Sequence, residues 1–548
     1  MDWISTCAGS SWGVWTVETN TMPRAYDFAA NGQYEPSILL TGEAAVKTSP
    51  QQVVTYHLNP RAVWSDGQPI TSQDFQYTWD QIAHGQGIAD PSGYNDIASV
   101  DDSDPVTVVV TFSQPYADWR KLFGGAYGLL PSHLLEGQDR HAMMANGYSW
   151  SGGPWELAPG DWVHGQSITL TPNPNYWGKK ADLASVTFRI FTDQAAELAA
   201  YEAGEVAAVY PAPEPVVAGY RGLPQTSYSV TPSLDYDALW FNTAQAPVND
   251  KAVREAIASV LDRSTLALLI AGAVEGVPPP STTTTSAGTS VSTTSTTSTT
   301  VAGSAPRVSP LEGLLTPAAG DFSTTAFARY PAPSAVAGLM TAAGWSRGAG
   351  DLWTKGGQQA TLTVKVPDTS PSLQAAASAM ATELKAAGFD VTVTEEAPQV
   401  LFGQDLPAGN FAVALFGADV RAQLPSGTVE SSGFPQILDD DPGQCPLFCS
   451  SAIPGSTNAG PAFNYGRLMD STLDRYLVDL DANSNSVDRL SDASQAASIL
   501  ATDVPAIPIV TLPDVLVVNT AKVGVEGGTF NHNLGYGPFG YLNEWYLK

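Results

Sequence analysis

Ala62-Val63-Trp64-Ser65-Asp66-Gly67-Gln68-Pro69-Ile70-Thr71-Ser72-Gln73-Asp74-Phe75 is the stretch on which the reading of this chain turns. It closes an alternating run, VVTYHLNPRAVWS over residues 53–65, that reads as a half-buried strand. Asp66-Gly67 supplies a turn. Thr71 can then cap a helix whose positive first turn holds Asp74, and Phe75, Trp79 and Ile82 recur at helical spacing to form one apolar face.

The same alternation of strand and helix continues outward. Val106–Phe112 and Ser167–Thr171 read as strands, and turn clusters follow at Gly152-Gly153-Pro154-Trp155 and Asn173-Pro174-Asn175-Tyr176-Trp177-Gly178. Val186–Phe191, Asp193–Ala203 and Val206–Tyr210 form a strand–helix–strand unit, with Gly204 closing the helix. Beyond residue 330, helices over Ser334–Ala343 and Pro371–Ala387 alternate with strands over Leu362–Val366, Val391–Val393 and Phe411–Phe416. This is α/β architecture in at least two packed bodies, since 548 residues exceed what one core can enclose. The apolar run Ala506–Val518 is expected to return to the first body.

Composition excludes several functions. A formal charge of −29 repels nucleic acid and anionic membrane surfaces, and no Lys/Arg patch offsets it. Charged residues make up only 14% of the chain, a composition common among secreted proteins. No run of about 18 apolar residues exists to span a membrane, and no basic-then-apolar leader opens the chain. Met1–Thr6 reads as a buried strand already entering a turn, so a leader and some mature residues are expected upstream. The three cysteines suggest neither a disulfide scaffold nor a zinc module; Cys445 and Cys449 are close enough to bridge a small loop, or are two unrelated thiols, and Cys7 has no neighbour. Residues 281–300, STTTTSAGTSVSTTSTTSTT, cannot bury enough apolar area to order themselves and read as a disordered insertion over 278–307 inside a domain. No catalytic motif, cofactor fingerprint or metal spacing is present, so neither an enzyme nor a cofactor is expected.

Several blocks, in order, resemble the peptide-type (dipeptide and oligopeptide) solute-binding proteins of ABC importers, family 5. They are the 62–75 stretch, Leu130-Pro131-Ser132-His133-Leu134-Leu135, Gly153-Pro154-Trp155-Glu156-Leu157 and Asn173–Gly178. Leu239-Trp240-Phe241-Asn242-Thr243 follows, leading to Asp250-Lys251-Ala252-Val253-Arg254-Glu255-Ala256-Ile257 and Leu261-Asp262-Arg263. Weaker signals are Ala342–Trp345, Asn464-Tyr465 and Asp474. These residues read as scaffold: Trp64 and Trp177 fill core, Asn242 bonds backbone across a turn, and Arg254 is expected to pair with Asp250 or Asp262.

The resemblance implies a two-lobed periplasmic-binding-protein-like fold (cluster C, with an extra subdomain in the first lobe). The first lobe would span 1–235 with the extra subdomain about 20–155, the second 236–507, and 508–548 would return to the first. It further implies hinge closure on a peptide-like ligand, permease partners and an extracytoplasmic, lipid-anchored monomer. A non-transporting envelope regulator of the same fold is the alternative. In peptide-binding relatives an acid in a Trp-x-x-Asp-Tyr-Pro-Asp-Pro-like segment pairs with the ligand's amino group. Asp419 matches it here, with Phe416 in place of the Trp and the remainder absent, so Asp419 is either that partner or a solvated acid beside Arg421. The first-lobe counterpart would be the loop Cys7–Gly13, with Ser10 and Ser11 against the ligand and Trp12 either stacking on it or in the core. Arg421 or Arg467 would suit a ligand carboxylate.

Overall fold

The computed structural model describes residues 12–548 except 29–33, 87, 89–90, 92, 125–127, 146, 158–159, 192, 232–234, 278–307, 316–324, 419–444, 456–462, 484 and 531–536. The Ser/Thr-rich insertion therefore lies outside the described residues, as does the strand expected at the N-terminus.

Helix α1 (Trp12–Thr21) opens the first body, so Trp12 and Gly13 belong to a helix rather than to the loop expected there. Its second half is buried, and Asn20 ties it to the far end of the chain by donating to the Phe539 carbonyl at 2.8 Å. Strands β1 (Ala45–Lys47), β2 (Val53–His57), β3 (Ile97–Asp104) and β4 (Thr107–Phe112) form a sheet of order β1-β2-β4-β3. Strand β2 stops well before residue 65, where Pro60 has no N–H to pair. Between β2 and β3 lies α2 (Ser72–His84), with Phe75 and Ile82 buried against the sheet.

The quoted stretch is held by one carboxylate. Asp74 Oδ2 accepts from the Thr71 N–H at 2.9 Å and from Trp64 Nε1 at 3.3 Å, while Oδ1 accepts from the Ser132 N–H and hydroxyl, each at 2.8 Å. The next block is joined similarly: Asn173 Nδ2 donates to the Gly153 carbonyl at 2.9 Å beside the fully buried Trp155. These blocks are tie points of the scaffold. The first body continues with β5 (Ser167–Pro172), β6 (Val186–Arg189), α3 (Gln194–Glu202, capped by Asp193), β7 (Ala208–Val209) and β8 (Thr226–Thr231).

The second body begins with β9 (Tyr236–Phe241), α4 (Lys251–Val260) and α5 (Arg263–Glu275). It continues through β10 (Thr361–Pro367), α6 (Pro371–Ala386), β11 (Asp390–Glu396) and β12 (Val413–Ala418) to α7 (Ser471–Ala482), α8 (Ser486–Asp503) and β13 (Ala506–Thr511). Its sheet has the order β11-β10-β12-β9-β13, with β10 parallel to both neighbours and β9 antiparallel to β12 and β13. The next strand, β14 (Asp514–Asn519), pairs with β7 and β8. The run Ala506–Val518 thus serves both bodies: its first half completes the second sheet and its second half returns to the first.

Buried apolar residues sort accordingly into a cluster of residues 17–183 with 516–545 and another of residues 236–510. A small third cluster, with Val217, Tyr220, Val515 and Val517, takes in Val274 of α5 and so packs the second body onto the first. Asn464 is buried and donates to the Cys449 and Leu468 carbonyls, each at 2.9 Å. Cys449 is disulfide-bonded, with its partner sulfur outside the described side chains.

Arg254 departs from expectation. Its guanidinium donates to the carbonyls of Asp503 (2.6 Å), Val504 (3.1 Å) and Val248 (2.7 Å), not to Asp250 or Asp262. Those two carboxylates cap the helices they precede, Asp250 at the Ala252 N–H and Asp262 at the N–H groups of Ser264 and Thr265. A cation at the end of α8 satisfies orphan carbonyls and sits favourably at the negative end of that helix.

Candidate ligand-binding site between the lobes

Two antiparallel strand pairs carry the chain between the bodies: β8 with β14 on one side, β9 with β13 on the other. The passage lies at 232–235 and 512–513, where the Leu512 N–H donates to the Asp235 carbonyl at 2.8 Å. Because β9 is antiparallel to β12, its first residues stand at the carboxyl ends of β10, β11 and β12. The chain leaves β10 through α6 to reach β11 on one side, then crosses back to β12 on the other. Such a reversal opens a crevice outside the carboxyl ends of the strands, where ligands of open α/β sheets bind. Here that crevice faces the first lobe.

Glu214, in the first lobe after β7, reaches across to the N-terminus of α6. Its carboxylate accepts from the Ser370 hydroxyl and from the Ser372 N–H and hydroxyl, each of the latter two at 3.1 Å. The first turn of a helix leaves N–H groups unserved and carries positive partial charge, so an anion is favoured there. Burial raises the Glu214 pKa, and these hydrogen bonds oppose the rise. On the far side, Arg489 of α8 donates to both oxygens of Asp118 in the first lobe, at 3.0 and 3.3 Å. Among the described residues the lobes are thus joined, besides the hinge, by these polar contacts and by the Tyr228 hydroxyl, which donates to the Val274 carbonyl of α5 at 2.9 Å.

At the start of β9, the side chain of Asp237 is only 3% exposed. Burial, and then the negative charges of Glu214 and Asp235, push its carboxyl up to about 8. Gly417 lies opposite Asp237 in the β9–β12 register, and a Cβ there would stand 3.1 Å from Asp237 Oδ1. A side chain there would press on the carboxyl, which would have to give by a few tenths of an ångström.

The residues singled out from sequence fall as follows. Phe416 is 3% exposed; its ring stacks on Trp240 at 5.3 Å and meets Phe402 edge-on at 5.5 Å, within the second core. Asp419 and Arg421 lie outside the described residues, one and three positions beyond Ala418, whose register partner is Tyr236. Ser10 and Ser11 are outside too, and so is the side chain of Trp12. Arg467 donates to the Pro407 carbonyl at 2.7 Å, closing the turn Leu406–Ala408. Glu214, Asp118, Arg489 and Asp237 were not singled out. Of these only Asp237 leaves a trace in the sequence, as an acid inside a strand whose other side chains are apolar or aromatic.

Among the described residues no group of His, Cys, Asp or Glu is arranged to hold a metal ion, and no single helix is long and apolar enough to cross a membrane. Two lobes on a double-strand hinge, with a polar crevice at the carboxyl edge of one sheet, define a hinged solute-binding protein. The chain belongs to the bacterial extracellular solute-binding proteins, family 5, whose middle region matches residues 40–435.

Among curated proteins, the oligopeptide-binding protein OppA of Mycobacterium tuberculosis is 35% identical over 262 residues, 45% of this chain and 42% of OppA. LpqW of the same species, a probable monoacyl phosphatidylinositol tetramannoside-binding protein, is 29% identical over 384 residues, 68% of this chain and 57% of LpqW. The matches span about half the length of these relatives. Among solved structures, the periplasmic EDTA-binding protein EppA superposes with a TM-score of 0.80 at 22% identity, covering 100% of this chain and 94% of EppA. That likeness establishes the fold.

Proposed function

We propose that this chain is the ligand-capturing component of an ABC importer, closing two lobes on a peptide-like ligand and presenting the closed form to permease subunits. The lobes are taken as residues up to 235 with 514–548, and 236–511. The observation that carries the reading is the crevice at the carboxyl edge of the second-lobe sheet, bounded by the hinge, Glu214 and the Arg489–Asp118 pair, in a chain of this family. A ligand that binds only the closed form shifts the lobes toward closure. The peptide assignment is supported by the similarity to OppA and by the place of Asp419 in the sequence, one residue after Ala418, which ends β12. Capture requires no chemical step, so the reading is of a binding protein and not an enzyme. It places the chain outside the cytoplasm, as the family's description does, and takes it to be a monomer held at the membrane by a lipid anchor.

Thermal denaturation of the purified chain against di-, tri- and oligopeptides, oligosaccharides and nickel complexes tests this, because a ligand raises the melting temperature of the state it binds. A rise with peptides that is reduced in Asp419→Ala supports peptide capture. No rise with any ligand would favour instead an envelope regulator acting through protein contacts.

A further inference from the structure

The crevice contains an unusual electrostatic arrangement. Glu214 and Asp235 bring two acids to the hinge end, and Asp237 adds a third carboxyl. Glu214 has its charge served by Ser370, Ser372 and the first turn of α6. Among the described residues Asp237 has neither a hydrogen bond nor an ion pair, although 97% of its surface is buried, and no positive charge among them offsets those of Glu214 and Asp235. A buried carboxyl without a partner is costly, and a chain assembling only a sheet would favour an apolar residue at this place in β9.

Local backbone favours the carboxyl. Gly417 opposite leaves room for Oδ1, and a register shift follows directly, with Asp237 opposite Val510 but Ala238 opposite Pro508. A bulge of this kind bends the strand and re-aims side chains, and bulges gather beside functional sites.

We propose that Asp237, with Glu214 and Asp235 beside it, forms a subsite at the hinge end of the crevice for a cationic group of the captured ligand, an ammonium or guanidinium. The proposal rests on capture between the lobes and adds to it a preference for ligands with a positive group besides any that Asp419 holds. Entry of the cation draws a proton off Asp237, which the empty site keeps on the carboxyl at neutral pH. Binding therefore releases a proton below about pH 8 and tightens as pH rises from 6 to 8.

The test uses tripeptides of alanine with lysine at each position in turn, their Nε-acetyl-lysine counterparts, trialanine and the free dication 1,5-diaminopentane, titrated calorimetrically into the wild-type chain and Asp237→Asn. Asparagine has nearly the shape of a neutral carboxyl, and circular dichroism checks that the variant folds. At least one lysine peptide is expected to bind on the order of 10-fold more tightly than its acetylated counterpart, a difference lost in Asp237→Asn. Its heat in two buffers of different ionisation enthalpy should report proton release in the wild type alone. Equal affinities for every lysine and acetyl-lysine pair, or a difference that survives in Asp237→Asn, would overturn the subsite. If no peptide binds, trialanine included, the peptide reading falls, and the dication still tests the subsite: binding lost in Asp237→Asn sustains it, and no binding overturns it.

Discussion

Arg489 and Asp118 stand 371 positions apart in the chain, yet the guanidinium meets the carboxylate with two hydrogen bonds, of 3.0 and 3.3 Å, from opposite lobes. Their side chains are 15% and 19% exposed, so water screens the pair only in part. A two-point pair at the rim of a hinged crevice contributes to the closed form and is lost when the lobes part. Arg489→Ala should weaken ligand binding by about 5- to 70-fold, in keeping with roughly 1–2.5 kcal/mol for hydrogen bonds between charged groups partly screened by water, and enlarge the radius of gyration of the free protein. Asp118→Ala should do the same, and the double variant less than the sum of the two, because both remove one contact. Small-angle scattering and calorimetry read both effects; full additivity would show that the pair is not coupled.

Glu214 should matter to the helix it caps as well as to the hinge. In Glu214→Ala the Ser372 N–H loses its acceptor, and the first turn of α6 should open more often, by about 1–2 kcal/mol in local stability. Hydrogen exchange at residues 372–374 measures it. Unchanged protection there would mean that Ser370 alone caps the helix.

Asp237→Asn should change stability in a pH-dependent way. The folded protein holds this proton up to about pH 8, whereas the unfolded chain loses it near the ordinary aspartate value. Between roughly pH 4 and 8 the folded state thus binds the extra proton, and its stability falls as pH rises. Urea denaturation at pH 5, 7 and 9 should show the variant gaining on the wild type across that window and keeping its advantage above it. A difference independent of pH would show that Asp237 is ionised in the folded protein.

Phe416→Ala should act on folding. With its ring between Trp240 and Phe402, the truncation leaves a cavity costing about 3–5 kcal/mol. Phe416→Leu, which keeps most of the volume, should cost less and leave ligand affinity close to that of the wild type. A large loss of affinity in the leucine variant would place the ring in contact with ligand.

Much of the scaffold was legible because it is local. Helix α2 starts where Thr71 and Asp74 announce it, α3 where Asp193 does, and β10, α6 and β11 fall close to their sequence boundaries. Capping, turn chemistry and hydrophobic period act within a few residues, so they can be read in a line of sequence. The partners of Arg254 were not legible, because backbone carbonyls at the end of a distant helix carry no residue type to recognise. Strand β2 was read too long because alternation continues past Pro60, where pairing cannot.

The candidate site divides the same way. From its sequence the chain determined its α/β class, its solute-binding resemblance and the place of Asp419 beyond a strand, since strand period and ordered motifs survive without coordinates. Only the tertiary structure decided that Glu214 serves the first turn of α6, that Arg489 meets Asp118 and that Asp237 is buried among acids at the hinge. Those relationships arise where two lobes, each folded around its own core, come together. The charges that meet there are set by the path of the hinge, which no short-range pattern encodes.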